Sequence, residues 1–364
     1  MTIDQDQFRA IISGRRRDAP ARLARALLGV ASLGYRLAMR IRNSLYDCRV
    51  LKSHRANAVV LCVGNLTTGG TGKTPLVAWL ARYLTDKGLR VAILTRGYKA
   101  GSAPVGNAPP ASDEPAELAA ACPGVPVIVN PDRVAGATEA VRHHGAQVLV
   151  MDDGFQHRRL ARDLDVIAID ATTPFGYGRL LPAGLLREPI GSLKRAHAVV
   201  ITRSDQVPEQ QLGRIEERIA RTAPRLPVVR AVHAPTGAQD HDGSEIPLDA
   251  LKSRKVFAFC GLGNPDAFVK TVETCGCQIA GFRAFNDHHA YTQHCVAEIL
   301  EESRSAGAEL ALTTSKDWNK IAPLIPAESP LPMAYLAVAL EFRATDKPLT
   351  TLIDRVLAST MAPS

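Results

Sequence analysis

Short apolar runs and longer amphipathic stretches take turns along most of this chain. Strand-like runs rich in β-branched residues fall at 59–63, 90–94, 125–129, 147–151, 166–169 and 199–202. Between them, residues 76–84, 112 to about 121, and 132–144 carry the spacing of helices that bury one face. The alternation resumes with helices at 212–223, 266–275 and 291–306 and strands at 256–260 and 310–313. Strands alternating with helices predict an α/β fold, a parallel sheet flanked by helices. Stretches 101–115 and 173–195, rich in Gly and Pro, read as loops. The expected division is an N-terminal helix (1–50), a larger α/β domain (51–204) to which 326–364 return, and a smaller α/β domain (205–325) closing over a cleft.

The N-terminal segment has its own pattern. From Pro20 onward, Leu23, Leu27, Val30, Gly34, Leu37, Ile41 and Leu45 form one helical stripe, with Arg22, Arg25, Arg36 and Arg40 opposite. The longest uncharged run, 26–35, is too short to span a bilayer, which takes about 20 apolar residues. An apolar stripe backed by arginines fits an amphipathic helix lying in a membrane interface. The alternative is a helix packed on the protein's own core. Charge points the same way. The chain carries a formal +8, and residues 1–55 hold twelve Arg or Lys against four Asp or Glu, so the rest is neutral overall. The basic character is local, which argues against a general nucleic-acid surface. Seven cysteines without C-x-x-C spacing argue against a zinc site and fit a reducing compartment.

The chemistry centres on VVLCVGNLTTGGTGKTP, 59–75. A buried strand, a glycine-rich turn and a helix follow in the order of a P-loop NTPase. Thr67, Thr68, Gly69, Gly70, Thr71, Gly72, Lys73 and Thr74 would cradle the phosphates of ATP. Lys73 would reach the β/γ-phosphates, and the Thr74 hydroxyl would hold Mg2+. Thr67 stands where the strict pattern has its first glycine. A second apolar strand ends in Asp152 and Asp153, and one of these is expected to meet Mg2+, since strand ends of an open α/β sheet converge on the ligand. The G-x-G at 261–263 lacks the rest of a dinucleotide fingerprint and reads as a tight turn. Asp113 and Asp287 each suit a helix start.

Together GNLTTGGTGKTP, TRGYK, SDEP, DDGFQH, LLREP, GLGNP, DHHAY and TTSKD resemble the tetraacyldisaccharide 4'-kinase family, the lipid A 4'-kinases of Gram-negative bacteria. That resemblance implies transfer of the ATP γ-phosphoryl group to the 4'-hydroxyl of a tetraacyldisaccharide 1-phosphate, giving lipid IVA. It places the enzyme peripherally on the cytoplasmic face of the inner membrane. By motif, Asp113 matches the family's catalytic aspartate and His288 the histidine of D-H-x-x-Y. Arg187 and Glu188 match a polar pair near the same cleft. The alternatives are a membrane-associated regulatory NTPase, whose N-K-x-D base-reading sequence is missing here, and a cytosolic small-molecule kinase, which would not need the basic helix.

Overall fold

The structure, a computed structural model, describes residues 5–97, 113–287, 289–326 and 328–361. Helices α1 (Gln5–Ile12) and α2 (Ala19–Asp47) lead into β1 (Val59–Gly64), α3 (Lys73–Asp86), β2 (Val91–Thr95), α4 (Asp113–Ala121), β3 (Val127–Val129), α5 (Arg133–His144), β4 (Val148–Asp152) and β5 (Leu164–Asp170). Two 3-10 turns, Gly176–Gly178 and Ile190–Arg195, precede β6 (Ala198–Thr202) and α6 (Glu209–Thr222). Then come β7 (Val228–Asp240), β8 (Glu245–Ile246), α7 (Leu248–Leu251), β9 (Lys255–Cys260), α8 (Pro265–Thr274), β10 (Gln278–Ala284), α9 (Gln293–Ser305), β11 (Leu310–Thr314), α10 (Ser315–Ile321), β12 (Met333–Arg343) and α11 (Lys347–Met361).

The strands form one sheet in the order β10-β9-β11-β12-β7-β6-β5-β1-β4-β2-β3, with β8 beside β7. Every residue of β1, β2, β4, β5 and β6 is buried. Helices cover both faces, which is why these strands are continuous apolar runs rather than alternating ones. Helix α3 buries Leu76, Val77, Leu80 and Leu84 in one cluster with Leu349, Ile353 and Leu357 of α11. The Tyr83 hydroxyl donates to Asp354 at 2.9 Å across that contact.

The seam of the sheet creates the cleft. Strand β6 pairs in parallel with the start of β7, residues 199–201 against 228–230. Strand β11 pairs in parallel with the start of β12, residues 311–314 against 333–336. Strands β7 and β12 are antiparallel, with Ala334 opposite Asp240 and Arg343 opposite Arg230. Two parallel half-sheets therefore hang from opposite ends of a long ribbon, and their C-terminal edges face each other across its middle. Gly237 lies opposite Ala337 and Pro235 opposite Val338, leaving Thr236 as a bulge. Pro235 is tolerated there because a bulge needs fewer ladder donors.

Helix α2 opens with Pro20 in its first turn. It meets the body through polar contacts: Ser32 donates to the Leu180 carbonyl, Tyr35 to that of Arg187, Arg42 to that of Gln156, and Asn43 to Glu188. Leu23, Leu27, Val30, Leu33, Leu37 and Ile41 point away and are 53–69% exposed. Among the described residues no helix is long and apolar enough to cross a membrane.

Candidate active site

Strand β1 ends at Gly64, and residues 65–72 curl back to the first turn of α3. Gly69 and Gly72 take left-handed φ values of +103° and +75°, which glycine adopts without a steric penalty. The loop is clamped from several sides. Thr67 bridges Leu186, and the Thr68 N–H donates to the Leu185 carbonyl at 2.8 Å. Extended pairing of this kind does not call for glycine, so threonine fits where the strict pattern has one. Asn65 donates to the Thr71 hydroxyl at 2.9 Å, and Gln156 to the Asn65 carbonyl at 2.9 Å. Thr202 and Arg203, at the end of β6, donate to the Thr71 and Gly70 carbonyls at 2.8 and 2.9 Å. Arg203 is itself paired with Asp170. These bonds fix the loop before nucleotide arrives.

A cleft of about 980 Å3 opens at the facing strand ends. The phosphate loop with Lys73, Thr74, Asp152 and Asp153 lines one side, and Gly263, Asp287 and Lys316 line the other. His233, Leu336 and Val338 of the ribbon supply the floor. Asp152, the last residue of β4, is 4% exposed. Asp153 follows in a left-handed turn (φ +49°) that aims its carboxylate at two cations. Lys73 Nζ lies 3.5 Å from Oδ1, and Arg187 Nη1 lies 2.7 Å from Oδ2. Burial opposes ionisation of Asp153, but Lys73 and Arg187 outweigh it and hold the carboxyl well below the usual carboxylate range. On the opposite wall Lys316 Nζ pairs with Asp287 at 2.8 Å. Burial works against the Lys316 charge, yet Asp287 keeps its ammonium above the ordinary lysine range.

The donor set suits ATP with a hard divalent ion. Thr74 and Asp152 offer oxygen ligands at the end of the phosphate loop, the few protein ligands Mg2+ takes when phosphates and water complete its shell. Among the described residues no larger cluster of metal-binding side chains exists.

Most of the expected site residues converge here, and two of the described ones, Thr67 and Glu188, do not line the cleft; Thr67 is buried behind the loop in its bridge to Leu186. Glu188 is fully buried and lies outside the cleft lining. Its carboxylate accepts from Asn43, Ser192 and Arg195 at 2.9–3.1 Å, tying α2 to the Ile190–Arg195 turn. Arg187 and Glu188 point to opposite sides because adjacent side chains of an extended segment alternate. The expected cleft pair is therefore one cleft residue, Arg187, and one brace. Asp113 begins α4. Its side chain, and His288 as a whole, lie outside the described residues.

Several cleft residues are given no role by the motif reading. Arg133 is 3% exposed and lines the cleft near the Asp152 and Asp153 carboxylates, where burial lowers its pKa against their pull. The imidazole of His157 is lowered to about 4 by burial and then by Arg133 and Arg162. His233 wedges under Gly72 and is lowered to about 3 by burial and Arg203. Arg203 carried a positional signal, as a charged residue directly after a strand, and His157 and Lys316 fell within the DDGFQH and TTSKD motifs. Lys316 belongs to the TTSKD motif, and its neighbour Asp317 is buried, accepting from the Gly261 N–H at 2.9 Å.

Comparison with known proteins adds a family context. A family model described as tetraacyldisaccharide-1-P 4'-kinase matches residues 24–358. Proteins named tetraacyldisaccharide 4'-kinase from Anaeromyxobacter sp. (strain K) and Geobacter metallireducens are each 40% identical. These matches cover 94% and 92% of this chain and 93% and 99% of theirs. A crystal structure of LpxK from Aquifex aeolicus in complex with ATP is similar at a TM-score of 0.71 and 32% identity, covering 92% of this chain and 99% of that one.

Proposed function

The chain belongs to the tetraacyldisaccharide 4'-kinase family, and on that premise we propose how its own residues carry the reaction. The enzyme transfers the γ-phosphoryl group of ATP to the 4'-hydroxyl of a tetraacyldisaccharide 1-phosphate, a lipid A precursor. The observation that supports the residue roles best is the meeting, in one cleft, of the phosphate loop, Asp152 on the neighbouring strand, and the Lys73–Asp153–Arg187 chain of charges.

Backbone N–H groups of residues 69–74 hold the phosphates, since the Thr68 N–H is already taken by the Leu185 carbonyl, and Gly69 and Gly72 supply the left-handed turns this needs. Lys73 serves the β/γ-phosphates, with Asp153 keeping its ammonium aimed when nucleotide is absent. Thr74 and Asp152 would hold Mg2+, which when bound would neutralise phosphate charge. Arg187 fixes Asp153 in place. Asp113 takes the proton of the 4'-hydroxyl and His288 orients it. In support, α4 packs on α10, where Ser315 donates to Glu117 at 3.1 Å, and Asp287 next to His288 lines the cleft. Residues 51–204 with 326–364 act as the ATP-binding lobe, and 205–325 as the lobe that closes on it. The facing strand edges over a shared floor support two lobes, although α6 packs on β5 and β6 and the start of β12 pairs with β11, which moves the boundary into the β7–β12 ribbon.

Residues 1–50 seat the enzyme on the cytoplasmic face of the inner membrane, where ATP and the lipid meet. The exposed Leu23-to-Ile41 stripe of α2 favours this over packing on the core. ATP titration with and without Mg2+ tests the site roles. Asp152→Asn should abolish the Mg2+-dependent gain in affinity while Mg2+-free binding survives. An unchanged gain would remove Asp152 from the metal site.

A further inference from the structure

Two adjoining hollows beside the N-terminal half of α2 take no part in the chemistry above. The first, about 360 Å3, lies where the turn between α1 and α2 meets the Gly176–Gly178 turn. Arg17, Arg22, Arg25 and Arg179 line it, with Tyr177, and among the described residues no carboxylate does. Arg25 is pinned by the Ile11 and Arg16 carbonyls at 3.2 and 2.5 Å. Tyr177 is 43% exposed and held at φ +63°, a conformation that a non-glycine residue rarely adopts. Four guanidinium groups around one hollow repel each other unless an anion sits among them.

The second hollow, about 410 Å3, shares Arg179 with the first, has Arg36 and Arg218 among its lining, and runs beside Leu33 to Leu180, Leu186 and Ile190. A cationic basin thus opens into a mostly apolar groove at the edge of the exposed stripe. That combination fits one molecule with a phosphate head and a hydrocarbon chain. We propose that the basin binds the phosphate of an anionic bilayer phospholipid, with an acyl chain along the groove. Guanidinium groups suit this because they bond phosphate oxygens in pairs.

The family's own substrate is a less fitting occupant. Ile12, Ser13, Gly14, Arg17 and Arg22 all precede the stretch 24–358 that matches the family. A ligand shared by the whole family does not call for residues outside the shared stretch. The inference rests on the membrane-surface reading of α2, and the test separates the two.

Dioctanoyl phosphatidylglycerol kept below its micelle concentration removes the bilayer, and with it the diffuse attraction of a basic helix. Titrating the full chain with it should reveal one saturable site. Arg17→Gln/Arg22→Gln/Arg179→Gln should weaken that site at least about tenfold, as expected for lost charge-assisted phosphate contacts. Arg40→Gln/Arg49→Gln/Lys52→Gln removes equal charge outside the basin and should change it less than about twofold, since screened charges contribute little at a distance. No saturable binding, or equal losses in both variants, overturns the proposal. So does inorganic phosphate binding as tightly as the lipid. In neutral detergent, the basin variant should keep the wild-type KM for the tetraacyldisaccharide 1-phosphate. A raised KM would place the substrate's own phosphate in the basin and overturn the assignment. Flotation of the wild type with phosphatidylglycerol vesicles is a separate arm. If the chain fails to float yet binds the short-chain lipid, the membrane-surface reading fails and the site stands.

Discussion

Replacing Gly72 with alanine tests how the phosphate loop is seated on the ribbon beneath it. Gly72 has φ +75°, and a Cβ there would lie 2.4 Å from both Cε1 and Nε2 of His233. The left-handed backbone costs alanine about 1–2 kcal/mol. The contact adds about 1–3 kcal/mol, as overpacking does, because the Nε2 edge of the ring is shielded beneath the loop and the ring must shift for the Cβ to fit. The total, roughly 2–5 kcal/mol, is a large share of the 5–15 kcal/mol by which proteins are stable. Gly72→Ala should therefore melt several degrees lower and bind ATP more weakly, since the loop amides shift with it. Gly72→Ala/His233→Ala removes the ring and leaves only the backbone cost, so it should recover about half of the stability loss. Thermal denaturation and ATP titration of the three variants, His233→Ala included, measure both effects. A Gly72→Ala variant that melts and binds ATP like the wild type, or a double variant in which removing His233 rescues nothing, would show that the ring does not constrain the loop.

Four further outcomes follow from the same geometry. Lys73→Ala should lose at least about 10²-fold in turnover, the scale of one preorganised stabilising donor, and near-normal turnover in the folded variant would remove Lys73 from the site. Asp113→Asn should lower turnover about 10²- to 10⁴-fold with little change in ATP KM; if His288 acts with it, Asp113→Asn/His288→Ala is little worse than the poorer single variant, and multiplying losses would contradict the dyad. The imidazoles of His157 and His233, held at about 4 and about 3 by burial and neighbouring arginines, give a pH signature. Below their ordinary 6.5 the unfolded chain takes up protons that the folded chain refuses, so stability is full above that pH and falls as pH drops towards 4. His157→Ala/His233→Ala should flatten this fall in Tm, and an identical slope would contradict the assignment. Replacing Leu23, Leu27 and Val30 by Ser should reduce vesicle binding at high salt, where apolar burial is not screened; unchanged binding would place the anchor elsewhere.

The parts that were legible share one property, that their signal is local. The phosphate loop announces itself because strand, glycines, Lys73 and helix are contiguous, and Asp152 because it closes an apolar run. The β7–β12 ribbon was missed for the opposite reason. Pro235 and Gly237 interrupt β7, and only the pairing with β12, about a hundred residues later, turns that interruption into a bulge. The expected stripe of α2 appeared where the period put it, yet its exposure depends on polar contacts to Leu180, Arg187 and Glu188 that no periodicity encodes. Glu188 shows the limit of a motif: it fixes neighbours in sequence but not which face each side chain takes. Arg133, Arg203, His233 and Lys316 reach the cleft from four separate elements, so their convergence is a property of the assembled sheet.

This cleft delivers phosphate to a sugar hydroxyl rather than to water. Incubating the wild-type chain with γ-labelled ATP, Mg2+ and tetraacyldisaccharide 1-phosphate, then following the label, tests that most directly. Label should enter the lipid phase at the 4' position, and only when the acceptor is present. Label released as free phosphate at the same rate with or without the acceptor, as a regulatory NTPase would do, would contradict it.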